Sequence, residues 1–322
     1  MTEVSHRTVA ANGIDIHIAE QGSGPLVLLL HGFPELWYSW RHQLPALAKA
    51  GFHAVAPDLR GYGRTGAPRP VEAYSMRNMT ADAVGILDVL GVEHAVVVGH
   101  DWGAPIAWHC ALMYPQRFPA IVALSVPFQP RSESMPPTQA FKRVFGDDFF
   151  YILYFQEPGV AEAEFEADVR RSMLLSLSGL SGSVSSGRAL APRPRTATMF
   201  EGRAPPESLP AWLSEADLDY YVAEFERTGF RGGLNRYRNM DRDWAELAHL
   251  QGAKVEQPAL FIAGESDPVL RFTRIDAMTS HVPDLRKTVL LPGCGHWTQQ
   301  ELPSEVNREL IEFLRSLSLT TS

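Results

Sequence analysis

The sequence predicts an α/β fold: a mostly parallel sheet with helices on both faces and an inserted block of helices. Three observations predict it. Short runs such as Leu26–Leu30 and Ala95-Val96-Val97-Val98 are continuously apolar, as strands covered on both faces must be. These runs alternate with helix-like stretches up to about residue 128, and the alternation resumes at residue 259. Between those points lie helical patterns, at 160–177 and 214–228, with no series of strands.

In chain order, Asn12-Gly13 joins Thr8-Val9-Ala10 to Ile14-Asp15-Ile16-His17-Ile18 as an opening hairpin. Leu26–Leu30 runs into His31-Gly32-Phe33-Pro34-Glu35. A helix is predicted over 38–50, closed by Gly51, then a strand over His53–Pro57 and a helix over Met76–Leu90 ended by Gly91. The Val96 strand, a sharp turn and a helix over 104–114 follow, then a strand over 120–125. The rhythm stops after Val126-Pro127-Phe128. It returns with a strand over Ala259–Gly264, a helix over 273–281, a strand over 287–291 and a final helix over 304–317. The expected organisation is a core of 1–128 and 245–322 with a helical cap, or lid, of 129–244. Within the cap, 178–209 is rich in Ser, Gly, Pro and Arg, too polar and broken to be core, and reads as a long loop. There are no internal repeats.

The chain's 322 residues suffice for a sizeable core, and a content of 45% hydrophobic and 20% charged residues is ordinary for a globular protein. A formal charge of −8 argues against a nucleic-acid surface. The two cysteines, Cys110 and Cys294, cannot make a disulfide scaffold, so a reducing, cytoplasmic setting is expected. The polar first ten residues carry no secretory apolar core, and no apolar run approaches the ~20 residues that cross a bilayer, so no membrane partner is expected. A homodimer is compatible with the sequence, which has no feature that fixes the oligomeric state. Gly61-Tyr62-Gly63-Arg64-Thr65-Gly66 matches a dinucleotide-binding pattern, but Ala67-Pro68-Arg69-Pro70 cannot open the helix that would receive the pyrophosphate. No cofactor and no metal is expected.

The chemistry centres on Gly99-His100-Asp101-Trp102-Gly103. Glycines two places either side of a central residue fit a tight strand-to-helix turn that lifts the central side chain above the sheet. Asp101 at the centre is already an anion, so it can displace a leaving group from saturated carbon without a base. The plainer reading makes it a helix cap. The resulting ester needs an activated water to release it. Gly293-Cys294-Gly295-His296-Trp297 supplies a histidine in a flexible turn after the last strand, suited to a general base. Cys294 beside it reads as packing, since sequence neighbours seldom form a catalytic pair. Asp267, in Gly264-Glu265-Ser266-Asp267-Pro268, is the carboxylate preferred for orienting His296, with Glu265 as its rival. The order nucleophile, acid, histidine is that of α/β-hydrolases. Backbone N–H groups of Phe33 and Trp102 are assigned to an oxyanion hole.

Alkyl halides and epoxides both suit such a site. A halide leaves as a stable anion and wants weak N–H donors, whereas an epoxide oxygen leaves as a basic alkoxide and needs an acid; a phenol of pKa ~10 is matched to that task. Tyr151, Tyr154, Tyr220, Tyr221 and Tyr237 are the candidates in the inserted block.

The stretches His31-Gly32-Phe33-Pro34-Glu35-Leu36-Trp37-Tyr38-Ser39-Trp40-Arg41 and Gly99-His100-Asp101-Trp102-Gly103 resemble the soluble epoxide hydrolases of the α/β-hydrolase superfamily. Dehalogenases share parts of both. The stretches 151–159 and 229–240 resemble the two family segments that carry the lid tyrosines, and Gly295-His296-Trp297-Thr298-Gln299 resembles the family's base motif. The resemblance implies that Tyr151 and Tyr237 open the ring and that Tyr154 packs. Where mammalian members have a glutamine after the first tyrosine, this chain has Ile152. The expected reaction turns a lipophilic epoxide and water into a vicinal diol through an ester on Asp101. Pocket walls are expected from Val126, Ile152, Phe155, Val269, Leu270 and Trp297. The alternatives are a dehalogenase and a non-catalytic binding protein on the same fold; the paired tyrosines speak against both.

Overall fold

The computed structural model describes residues 3–183 and 193–317. Eight strands form one sheet: β1 (Ser5–Ala11), β2 (Ile14–Gln21), β3 (Leu26–Leu30), β4 (His53–Pro57), β5 (Val96–His100), β6 (Ala120–Leu124), β7 (Ala259–Gly264) and β8 (Leu285–Leu291), in the order β1-β2-β4-β3-β5-β6-β7-β8. The hairpin β1–β2 joins β4 antiparallel, and every later pairing is parallel. Every residue of β3, β5, β6 and β7 is buried, which is why these strands read as unbroken apolar runs.

Their alternate residues face opposite ways. Leu28, Leu30 and Val97 join one core with α2 (Met76–Leu90) and α3 (Gly103–Met113), while Val27, Leu29, Val96 and Val98 join a second core with α1 (Gln43–Lys49) and α13 (Pro303–Ser316). Helix α13 reaches that core through Val306, Leu310, Phe313 and Leu314, spaced along one helical face.

Between β6 and β7 stand α4 (Pro137–Phe145), α5 (Tyr151–Tyr154), α6 (Val160–Ala167), α7 (Val169–Gly179), α8 (Glu215–Thr228), α9 (Arg231–Arg238) and α10 (Met240–Glu246). They pack over the C-terminal ends of the parallel strands at close range. A Cβ on Gly232 would lie 2.3 Å from the Gly61 carbonyl oxygen, and one on Gly233 would lie 2.5 Å from the Phe33 ring. The backbone of α9 thus rests directly on Gly61, in the glycine-rich stretch after β4.

Several predicted elements differ in extent. The helix expected over 38–50 is a 3₁₀ turn over Trp37–Trp40 followed by α1, because Pro45 suits only a first helical turn. The helix expected over 160–177 is two: Asp168 is extended, and its side chain accepts the Arg171 N–H at 2.9 Å to cap α7. The helix expected over 273–281 is only α11 (Ile275–Thr279), and β8 begins two residues earlier than expected.

Of the loop expected over 178–209, residues 184–192 lie outside the described residues. Its flanks overturn the expectation that they are too polar for the core. Ser178, Ser181 and Phe200 are buried. Part of this polarity is paired: Ser181 accepts the Trp212 indole N–H at 3.0 Å and donates to Glu301 at 3.2 Å, and the Leu180 carbonyl accepts the His296 N–H at 2.9 Å.

Candidate active site

Strand β5, in the middle of the sheet, delivers Asp101 to the C-terminal end of the parallel strands, and α3 carries the chain away. Asp101 holds φ +48, a left-handed conformation uncommon outside glycine. The turn closes only because its neighbours lack side chains. A Cβ on Gly99 would sit 2.0 Å from the Gly103 carbonyl oxygen, one on Gly103 would sit 2.0 Å from that of Leu30, and one on Gly32 would sit 2.3 Å from the Asp101 side chain. That last approach lets the Phe33 N–H donate to Asp101 Oδ1 at 2.8 Å. Trp102, the other assigned donor, is the N-cap of α3 directly after Asp101.

His296 stands between β8 and α12 (Thr298–Glu301). Its Nε2 is 3.5 Å from Asp101 Oδ2, and its Nδ1 is 3.2 Å from both oxygens of Asp267. Asp267 follows β7 and also accepts the Val269 N–H at 2.9 Å. Glu265, the rival acid, is exposed. Burial alone would pull the imidazole of His296 down, but Asp267 and Asp101 outweigh it and hold the ring well above its ordinary pKa. Burial would raise Asp267, but the facing His296 outweighs it and keeps that carboxyl low.

The five candidate tyrosines separate cleanly. Tyr154 donates to Glu164 at 2.8 Å, Tyr220 accepts the Trp37 indole N–H at 2.8 Å, and Tyr221 pairs with Ser39 at 2.7 Å. Each of these hydroxyls is committed elsewhere. Tyr151 and Tyr237 instead line the same cavity as Asp101, with ring centroids 6.0 Å apart at 82°. The Tyr237 ring also meets those of Trp102 at 5.1 Å and Phe155 at 5.0 Å. Burial, and then the nearby Asp101, push both phenols above their ordinary pKa, so they rest protonated.

Comparison with known proteins decides the family. Residues 25–302 match the family model of the alpha/beta hydrolase fold. Epoxide hydrolase A of Mycobacterium tuberculosis is 51% identical, with 98% of each chain covered. Epoxide hydrolase 1 of Siraitia grosvenorii is 42% identical over 98% of this chain and 99% of that one. The crystal structure of epoxide hydrolase A from Mycobacterium thermoresistibile superimposes with a TM-score of 0.95 at 51% identity, covering 99% of this chain and 100% of that one. The chain belongs to the epoxide hydrolases of the α/β-hydrolase superfamily.

The cavity of this epoxide hydrolase has a volume of about 400 Å³ and mostly apolar walls. Val126, Ile152 and Val269 line it, together with Met76, Trp108 and Phe128. Phe155, Leu270 and Trp297, expected as walls, do not. Phe155 packs behind the rings of Tyr151 and Tyr237, Trp297 is fully buried and donates its indole N–H to the Leu177 carbonyl at 2.6 Å, and Leu270 packs from the side against the core. The epoxide hydrolase has no helix, among the described residues, long and apolar enough to cross a membrane, nor there any cluster of side chains that could hold a metal. Both cysteines are free and buried.

Two features escaped the sequence reading. Ser125, just past β6, touches both Asp267 and His296. Glu35 and His100 form a buried pair at 2.7 Å that ties three loops together: Glu35 accepts the Gly32 N–H at 2.8 Å, and His100 Nε2 bonds the His296 carbonyl at 2.7 Å. Burial would raise the Glu35 carboxyl, but His100 brings it down to about 2. Glu35 and His100 were visible only as members of their motifs. Ser125 had no flanking pattern to mark it.

Proposed function

We propose that this enzyme hydrolyses an apolar epoxide to a vicinal diol in two steps, through an ester on Asp101. One observation carries the reading: the Asp101 carboxylate and the Tyr151 and Tyr237 phenols line one apolar cavity, and Asp101 Oδ2 lies 3.5 Å from His296 Nε2. The inserted helices act as a cap that supplies the phenols. In the first step the Phe33 N–H holds Asp101 Oδ1, leaving Oδ2 as the nucleophile. Oδ2 bonds to one ring carbon as that carbon's bond to the epoxide oxygen breaks, and the emerging alkoxide takes a proton from Tyr151 or Tyr237. In the second step His296 Nε2 takes a proton from water, and the hydroxide adds to the ester carbonyl. Asp267 stabilises the imidazolium, and the Phe33 and Trp102 N–H groups hold the oxyanion. Collapse breaks the bond between the Asp101 carbonyl carbon and the diol oxygen, that oxygen takes the proton of the new carboxyl group, and the proton on His296 returns to the tyrosinate through solvent. The two buried free thiols suit a cytoplasmic enzyme.

The test is one turnover in ¹⁸O-water with enzyme in excess, followed by mass spectrometry of the peptide carrying Asp101. Label in the Asp101 carboxyl group is the expected result. Label in the diol alone would mean direct attack of water on the epoxide and would overturn the proposal.

A further inference from the structure

Ser125 holds φ +69. The Val126 N–H donates to the Leu124 carbonyl at 2.8 Å, closing a γ-turn around it, and the Ser125 N–H is fixed to the Ile262 carbonyl at 2.9 Å. A γ-turn with positive φ is rare and strained for any residue with a Cβ. Among the described residues, the other non-glycine residues with positive φ are Asn12, in the first hairpin turn, and Asp101. The strain at 125 therefore sits beside the reacting groups, on a fully buried side chain.

What the strained turn achieves is contact. Ser125 Oγ donates to Asp267 Oδ2 at 2.6 Å and lies 3.0 Å from His296 Nδ1. Since its proton is given to Asp267, its oxygen is left to accept from Nδ1–H. The His296 N–H is thus divided among three oxygens, Ser125 Oγ and the two of Asp267, all within 3.2 Å. Asp267 Oδ1 is fixed separately by the Val269 N–H. Without Ser125, Oδ2 would have no neutral donor among the described residues, and the carboxylate could rotate about its Cβ–Cγ bond away from the imidazole.

We infer that Ser125 is a positioning residue for the hydrolytic half of the reaction: it locks the Asp267 carboxylate and the His296 ring in the pose that aims Nε2 at the ester on Asp101. This rests on the two-step reading above. It assigns Ser125 no part in ring opening, because it does not touch the Asp101 carboxylate or either cavity tyrosine.

The two halves separate kinetically. A variant slow only in ester hydrolysis has lower kcat and KM in equal proportion, with kcat/KM, which reports on alkylation, unchanged. For Ser125→Ala the expected fall in kcat and in the single-turnover hydrolysis rate is about tenfold to a hundredfold, the effect of losing a hydrogen bond to a charged group. The alkylation rate, followed by quenched-flow mass spectrometry of the adduct, should stay within about twofold. Ser125→Gly removes the hydroxyl while adopting positive φ freely, so it folds without strain and should show the same defect. Ser125→Asn, which tolerates positive φ and brings back a donor, should recover much of the hydrolysis rate. Wild-type hydrolysis in Ser125→Ala or Ser125→Gly, equal losses in both half-reactions, or no recovery in Ser125→Asn would each overturn the inference while leaving the ester mechanism intact. If the wild-type enzyme itself forms no adduct, the two-step reading fails and the role of Ser125 falls with it.

Discussion

The two sides of the cavity are built from different physics. On the sheet side, Asp101, His296, Asp267 and Ser125 are fixed by hydrogen bonds and charge, each on a loop that leaves a strand end. On the inserted side, Tyr151 and Tyr237 are held by ring contacts with Phe33, Phe155, Trp102 and Phe272. Together they show how one small site holds the Asp267 carboxylate ionised and two phenols neutral. The His296 and Ser125 groups facing Asp267 favour its ionised form, and burial among apolar rings penalises ionisation of the phenols. Moving a donor to the wrong side would blunt both.

Breaking the sheet side at its centre gives the largest effect. Asp101→Asn should reduce diol formation below detection, measured on freshly purified protein with deamidation excluded by mass spectrometry; full activity would refute the assignment of the nucleophile. His296→Gln should keep alkylation and halt hydrolysis, so that intact-protein mass spectrometry finds one substrate added per chain. Absence of that adduct would remove His296 as the base for hydrolysis.

Breaking the inserted side should damage the opposite half-reaction. Each of Tyr151→Phe and Tyr237→Phe is expected to slow alkylation by ~10² to 10³, the cost of one oriented donor at a developing anion. Hydrolysis of a preformed ester should change little. Equal slowing of both steps would show that the tyrosines shape the cavity rather than protonate the leaving oxygen.

The charge asymmetry also predicts a pH dependence. His296 must be neutral to accept a proton from water, and its pKa in the free enzyme is held above the ordinary 6.5. Hydrolysis should therefore rise with pH through a raised pKa. Esterification neutralises Asp101 and removes one of the two anions holding the imidazolium, so the pKa governing hydrolysis of the ester should lie below that of the free enzyme. Titrating the His296 ring by NMR in the free enzyme, against a pH profile of single-turnover hydrolysis, checks the order; the reverse order would contradict it.

The smallest effect sharpens the contrast. Tyr154→Phe removes a hydroxyl bound to Glu164 outside the cavity and should leave both half-reactions within about twofold. The expected stability loss, read by thermal or urea unfolding, is about 1 kcal/mol.

The motifs made the sheet side legible. A Cβ on Gly99 or Gly103 would lie 2.0 Å from a backbone oxygen and one on Gly32 would lie 2.3 Å from the Asp101 side chain, and a steric requirement that tight leaves a mark in the sequence. Asp267 over Glu265 was a weaker inference, because both sit in one loop and only burial separates them. The tyrosines were not separable by pattern, since Tyr151 and Tyr154 lie three residues apart on the same short helix, α5. Family resemblance chose Tyr151, and the Glu164 partner of Tyr154 supplies the physical reason. Phe155 and Trp297 were misplaced as walls because adjacency to a site residue does not fix which way a ring points. In the flanks of 178–209, composition misled because Ser181 found partners inside, in Trp212 and Glu301.

By itself the sequence determined the alternation of buried strands and helices, the tight turn under Asp101 and the residue order of the sheet-side site, since each depends on neighbours along the chain. The cavity walls, the strained turn at Ser125, the Glu35–His100 pair and the partners that occupy the hydroxyls of Tyr154, Tyr220 and Tyr221 came only from tertiary structure. Each depends on atoms brought together from distant parts of the chain, and local sequence carries no record of which hydroxyl or carboxylate will find a partner when those parts meet.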